Sequence, residues 1–253
     1  MRIAGLCALT VAALAAAPPV RAGNGAHTAG RRTVLLGRSV DGRPIRAVEL
    51  GDFDGPRSAL VVGCIHGNEC AGMAIARLLL RLRPPAETDL WVVADLNPDG
   101  EAAGTRGNAH GVDLNRNFPW GWRQLFGGYY SGTRPLSEPE TRIALGILQR
   151  IRPRVSIWFH QHLDLVDDPA KSDVSRRFAA AAGLQLASLP REPGSATTWE
   201  THCLSGGSAF VVELPAGRLS RTRARRLAHV VDVAVASASP RRPRLRPSCH
   251  AGL

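Results

Sequence analysis

Regular alternation of apolar and polar residues begins at Thr33. Val34-Leu35-Leu36-Gly37 and Ile45-Arg46-Ala47-Val48-Glu49-Leu50 read as paired strands on either side of an Asp41-Gly42 turn, since a half-buried strand repeats every two residues and Asp-Gly suits a tight reversal. Ala59 to Ile65 is apolar and rich in β-branched residues, the pattern of a strand covered on both faces. Cys70 to Leu82 carries helical periodicity until Pro84-Pro85 stops it. Leu90 to Leu96 is a second buried strand, closed by the turn sequence Asn97-Pro98-Asp99-Gly100. Glu101 to Trp122 is polar, glycine-containing and irregular, and a loop of that length points to function. Glu138 to Ile151 predicts a helix with Ser137 as its cap and Glu140 completing a capping box. Val155 to Phe159 is a third buried strand ending on His160, Val174 to Ala182 is helical, Ala209 to Leu214 is a fourth strand carrying Glu213, and Leu219 to Ala236 is a final amphipathic helix. Strands alternating with helices predict an α/β fold in three layers, α/β/α. His66, His160 and Glu213 all fall at expected strand ends, where such sheets gather their sites.

The N-terminal segment departs from this pattern. Met1-Arg2 precedes an almost unbroken apolar run from Ile3 to Ala17, then Pro18-Pro19 and a small residue, Ala22, where a signal peptidase would cut. This is the layout of a secretory signal peptide over residues 1–22, too short for a membrane span. Residues 23–32, rich in Gly, Ala and Arg, are expected to be poorly ordered, with the catalytic domain at 33–239 and a basic tail at 240–253. Export permits disulfides, but Cys64, Cys70, Cys203 and Cys249 allow three pairings and spacing does not choose among them. A Cys64–Cys70 bridge around the His66 motif competes with a buried free thiol at Cys64.

The formal net charge of +11 is almost wholly arginine, with Lys171 the only lysine. Arg221, Arg223, Arg225 and Arg226 cluster late, and Arg241, Arg242, Arg244 and Arg246 lie in the Pro-rich tail. No aromatic stacking pattern or nucleic-acid module accompanies them, so a solvated helix face and a frayed tail are expected, with attraction to an anionic cell-wall polymer as a further use. Nucleic acid is not expected as a partner, and a monomer is.

Chemistry-bearing residues concentrate at a few places. His66-Gly67-Asn68-Glu69 joins a strand end to a helix start, which puts an imidazole and a carboxylate three residues apart on one side, as a zinc ion requires. A remote third ligand would come from Trp158-Phe159-His160-Gln161-His162, with His160 preferred at the strand end and His162 its competitor. Glu213 in Val211-Val212-Glu213-Leu214 is a carboxylate in an apolar strand; it is either a general base beside metal-activated water or half of a structural ion pair. Thr105-Arg106 and Asp113-Leu114-Asn115-Arg116-Asn117-Phe118 give the irregular segment guanidinium groups suited to carboxylates, with Asp113 able to pair with an arginine and fix the loop.

Taken in order, His66-x-x-Glu69, Asn97-Pro98-Asp99-Gly100, Thr105-Arg106, Asp113-x-Asn115-Arg116-Asn117-Phe118, Ser137-Glu138-Pro139-Glu140, His160 and Glu213 resemble the zinc carboxypeptidase family over roughly residues 55–215. The resemblance implies a metallocarboxypeptidase-like fold with a central mixed sheet and one zinc ion held by His66, Glu69 and His160, a His₂Glu set that is known for carboxypeptidase A. It also implies Glu213 as general base, Arg106 stabilising the oxyanion, and Asn115 and Arg116 gripping the substrate carboxylate. Digestive members carry arginine where Asn68 stands, and a tyrosine in the loop before the catalytic glutamate; here that region offers Trp199 and His202. Trp199 and His162 are therefore expected to contact substrate. The compact form is similar to the murein peptide amidase branch, which implies a secreted enzyme cutting γ-D-glutamyl–diaminopimelate bonds in cell-wall peptides. The competing expectations are an N-acyl amino acid amidohydrolase similar to aspartoacylase or succinylglutamate desuccinylase, a carboxypeptidase on ordinary peptides, and a non-catalytic wall-binding module.

Overall fold

The computed structural model describes residues 30–249. The expected signal peptide, residues 23–29 and residues 250–253 lie outside that range. In chain order the strands are β1 (Gly30–Arg38), β2 (Pro44–Gly51), β3 (Arg57–Val62), β4 (Thr88–Val93), β5 (Val155–Asp167), β6 (Gln185–Ala187), β7 (Leu204–Ser205), β8 (Ser208–Pro215) and β9 (Arg244–Leu245). The α-helices are α1 (Gly72–Leu79), α2 (Pro98–Ala103), α3 (Pro139–Ile151), α4 (Asp173–Ala182), α5 (Ala196–Cys203) and α6 (Arg221–Ala236). The main sheet runs β1-β2-β4-β3-β5-β6, with β8 also on β5. It is mixed: β1 and β4 flank β2 antiparallel, while β3 is parallel to β4 and β5.

Period-two alternation in the central strands divides the core into two layers. Ala59, Val61, Leu90, Val92, Ile157 and Phe159 face Ile75 and Leu79 of α1, Phe178 of α4 and Leu227 and Val231 of α6. Their sequence neighbours Leu60, Val62, Trp91, Val93 and Trp158 face Leu145 and Leu148 of α3 and Trp199 and Cys203 of α5. Burial on both sides explains why these strands read as continuous apolar runs. The three-layer expectation is met.

Several local expectations are corrected. Residues 30–32 are not a loose leader: Gly30 and Arg31 pair with Gly51 and Leu50, so the β1–β2 ladder orders them without apolar side chains. Asn97-Pro98-Asp99-Gly100 does not close β4 as a turn but opens α2, with the Asn97 side chain accepting from the Gly100 N–H at 3.0 Å. The Ser137 capping box does not form. Ser137 donates to the Glu138 carboxylate at 2.6 Å, and Glu140 instead receives the Val40 N–H and the Asn108 amide. β5 does not stop at Phe159; it runs through His160 to Asp167. Its first limb lies along β8, with His160 opposite Glu213, and its second returns on β8 with Leu165 opposite Glu213 and Asp167 opposite Val211.

The tail is docked through Cys249, not frayed. β9 pairs with β7, Arg242 binds Asp89 at 2.9 Å, and Cys249 is bridged to Cys203. The second bridge joins Cys64 to Cys70 around the His66–Glu69 turn, so Cys64 is not a free thiol. The arginine cluster on α6 lies on its outer face, Arg221, Arg225 and Arg226 exposed, while Ala224 and Leu227 turn inward.

Candidate metal centre and catalytic cleft

His66 lies just beyond β3 and Glu69 follows in a turn closed by the Glu69 N–H to the His66 carbonyl at 2.9 Å. That turn packs so closely on α2 that a Cβ at Gly67 would sit 1.9 Å from the Gly100 carbonyl carbon, which is why glycine separates the two ligands. His160 enters from the middle of β5. The ligand atoms of His66, Glu69 and His160 all lie within 4.8 Å of one another. The Nδ1 atoms of His66 and His160 stand 3.0 and 3.3 Å from one Glu69 carboxylate oxygen. His162 stays outside this group, exposed on the cleft wall, so geometry selects His160.

The set fits zinc on its chemistry: two imidazoles and a carboxylate converge, and three protein ligands leave a position open. The outer nitrogen of His66 is held by Asp113 at 2.9 Å, which fixes the ring and leaves Nδ1 turned toward Glu69. Nε2 of His160 is buried without a partner among the described residues.

The charges are arranged to match. Burial alone would push His66 down, but the Asp113 carboxylate outweighs it and the net shift is upward. Burial dominates at His160 and pushes it down to about 4, which keeps that imidazole neutral and able to ligate. Burial would raise Glu69, yet hydrogen bonds from His160 and His66 hold it well below the ordinary carboxylate range.

Asp113 is fully buried and does more than fix a loop. It accepts from the Asn115 N–H at 2.9 Å and from Arg106 Nε at 2.8 Å as well as from His66. Arg106 also donates to Glu69 at 2.7 Å, so one guanidinium is clamped between two carboxylates beside the metal group.

His66, Glu69, Arg106 and His160 line one cleft of about 370 Å³, together with Asn115, Arg116, Tyr129, His162, Asp167, Glu192 and Glu213, while Asp113 lies buried behind them. Glu213 comes from β8 directly opposite His160, and its Oε2 is buried without a hydrogen-bond partner among the described residues. Burial, reinforced by the charge of Glu69, pushes its carboxyl up. Asn115 and Arg116 sit in a single 3-10 turn (Leu114–Arg116), and Arg116 reaches Glu192 at 3.4 Å.

Trp199 does not contact the cleft. It is 2% exposed and packs in the core, because α5 turns that face toward the sheet. Sequence reasoning missed Tyr129, whose ring the guanidinium groups of Arg106 and Arg116 approach to 5.2 and 5.3 Å. Only folding of the irregular loop brings that aromatic ring to the two arginines.

Comparison with known proteins agrees with the geometry. Residues 26–175 match the zinc carboxypeptidase family. The chain is 32% identical over 209 residues to murein peptide amidase A of Escherichia coli K12, covering 73% of this chain and 84% of that protein. The crystal structure of the murein-tripeptide amidase of Escherichia coli O157 superposes with a TM-score of 0.68 at 28% identity, over 87% of this chain and 97% of that one. Carboxypeptidase A of Helicoverpa armigera shares the fold at a TM-score of 0.68 and 17% identity, over 83% and 69% of the two chains. Fold, donor set and similarity agree: the chain belongs to the zinc carboxypeptidase family and is a zinc-dependent metallopeptidase.

Proposed function

We propose that this protein is a secreted zinc amidase that cuts γ-D-glutamyl–diaminopimelate bonds in cell-wall peptides, next to a free carboxylate. The observation that carries the reading is one cleft holding the His66–Glu69–His160 group, Glu213, and the Asn115-Arg116 pair. The similarity to murein peptide amidase A over most of both chains points the substrate toward murein. Export is supported by the signal-like residues 1–22 and by two disulfides, which persist in oxidising compartments. The exposed arginines of α6 suit an anionic wall polymer.

His66, Glu69 and His160 would hold the zinc, which when bound would supply Lewis acidity toward the scissile carbonyl and water. Arg116, with Asn115, binds the substrate carboxylate and so sets which bond lies beside Glu213. The Glu213 carboxylate, made more basic by burial, takes a proton from the attacking water and returns it to the departing amine. Arg106, held in one orientation by Asp113 and Glu69, donates to the oxygen on which negative charge develops.

The test is a substrate panel for the zinc-loaded mature protein: L-Ala-γ-D-Glu-diaminopimelate, ordinary C-terminal peptides and N-acyl amino acids. The tripeptide is expected to lead in kcat/KM by at least about tenfold, equivalent to 1.4 kcal/mol of transition-state binding. A higher kcat/KM on acetyl- or succinyl-amino acids, or on α-linked peptides, would replace this reading with that of the favoured class.

A further inference from the structure

On β5 the residues facing the α1 layer are Val155, Ile157 and Phe159, and their row continues to Gln161, since alternate residues of a strand share a face. The first three are apolar and buried in the core. Gln161 is half-buried and stands where that row leaves the core, between the start of α1 and the exit of β8. It is neither a metal ligand nor a proton donor in the chemistry above, yet its amide joins the three segments that carry that chemistry.

Oε1 of Gln161 accepts the Ala71 N–H at 3.0 Å, and Nε2 donates to the carbonyls of Pro215 and Gly217, both at 2.8 Å. These partners fix which way the amide points. A flipped amide would set its oxygen against two carbonyls and its NH2 against an N–H. The backbone N–H of Gln161 donates to Oε2 of Glu69 at 3.3 Å. Ala71 lies two residues after Glu69, Pro215 lies two residues after Glu213, and His160 directly precedes Gln161. Beyond Pro215 the chain runs exposed through Ala216, Gly217 and Arg218, so the two carbonyl contacts pin the end of β8 where it meets solvent.

We infer that Gln161 is a positioning residue. Its side chain ties the Glu69 turn and the end of β8 to the strand that carries His160, and so sets the placement of Glu213 relative to the metal ligands. An apolar residue would continue the α1-facing row equally well, but it could not hold either segment. This role rests on the zinc peptidase assignment and not on the γ-glutamyl reading.

Gln161→Met keeps the length of the side chain and removes its three hydrogen bonds. At a temperature where the variant is folded, zinc affinity in competition with a chromophoric chelator should fall about tenfold, as when a group that orients metal ligands is lost. With zinc saturating, kcat on the best-cleaved substrate should fall about tenfold while KM stays within about twofold, the pattern of an interaction that serves the transition state. A contact that only stabilised the fold would lower Tm and leave zinc affinity and kcat within about twofold of the wild type. That result overturns the proposal. Gln161→Glu divides the two sides, because it keeps an oxygen for the Ala71 N–H and sets a second oxygen against the Pro215 and Gly217 carbonyls. Here kcat should fall without a loss of zinc affinity, and weakened zinc binding with kcat intact refutes the link to Glu213. Exchange of the Gln161 side-chain amide protons in the zinc-loaded wild type, followed by 15N NMR, needs no variant. Slow exchange supports the clasp, and exchange as fast as that of an exposed glutamine overturns it. If no γ-linked peptide is cleaved, the substrate reading fails, while zinc affinity and amide exchange still decide the role of Gln161.

Discussion

Asp113 couples three functional groups at once, holding the His66 ring, the Arg106 guanidinium and the Asn115 backbone with a single buried carboxylate. Its loss should reach the metal without removing a ligand. Asp113→Ala frees the His66 ring and removes the acceptor that keeps Nδ1 available, so zinc affinity should fall by about 10–100-fold. Competition against a chromophoric chelator measures this, and unchanged affinity would mean that the packing around His66 suffices. Glu213→Gln separates chemistry from metal binding. Hydrolysis should drop by about 10²–10⁴-fold while one zinc per chain remains by metal analysis. Loss of zinc in that variant would reassign Glu213 to the ligand set. At this scale the sequence was informative where the reacting groups lie within one local element, as in His66-Gly67-Asn68-Glu69. It was ambiguous between His160 and His162, because the choice depends on β5 continuing past Phe159. Trp199 failed for a related reason: which face of α5 meets the sheet cannot be read from eight residues with little amphipathic contrast. Asp167 and Tyr129 carried no local signal, since register and loop closure alone place them in the cleft.

Elements position these groups by close approach as much as by hydrogen bonding. The Gly67–Gly100 contact seats the ligand turn on α2, so Gly67→Ala must push the turn and α2 apart. Overpacking of this kind costs about 1–3 kcal/mol, and the loss should appear both in thermal stability and in zinc affinity. A second element-level device is Glu200 on α5, wholly buried under β5 with Trp158 donating to it at 2.7 Å. Burial pushes its carboxyl up to about 8. A carboxyl raised in the folded state stabilises fully below its unfolded value and loses that contribution as pH rises toward the folded one. The wild type should therefore weaken between about pH 5 and 8 with a slope of up to about 1.4 kcal/mol per pH unit from this group. Glu200→Gln should flatten the profile of Tm against pH over that window; parallel profiles would show that Glu200 titrates normally. The buried strands were legible because their alternation is covered on both sides. The capping box at Ser137 was not, because Glu140 meets a stronger demand from Val40 and Asn108 in distant segments.

At the scale of the whole molecule, the last described residues are tied back to β4, β7 and α5. A tail rich in arginine and proline was expected to be solvated, yet Arg242 reaches Asp89 and Gly55, β9 pairs with β7, and Cys249 is bonded to Cys203. Charge composition alone cannot foresee this, since the partners of a basic segment are set by which buried acids the fold brings beside it. The bridge joins residues 46 apart in sequence, and closing a loop of that length removes unfolded-state entropy worth about 4 kcal/mol in the chain-entropy treatment. Cys249→Ser should thus lower Tm substantially, and the double variant with Cys203→Ser should be no less stable than the single one, because both lose the same constraint. The catalytic cleft lies elsewhere on the sheet, so zinc content at a temperature where each variant is folded should stay near one per chain. If removal of the bridge left Tm unchanged, β9 and the Arg242–Asp89 pair would be holding the tail unaided. If it abolished zinc binding while the fold persisted, α5, which carries both Cys203 and the backbone N–H bound by Asn115, would be transmitting the change to the cleft.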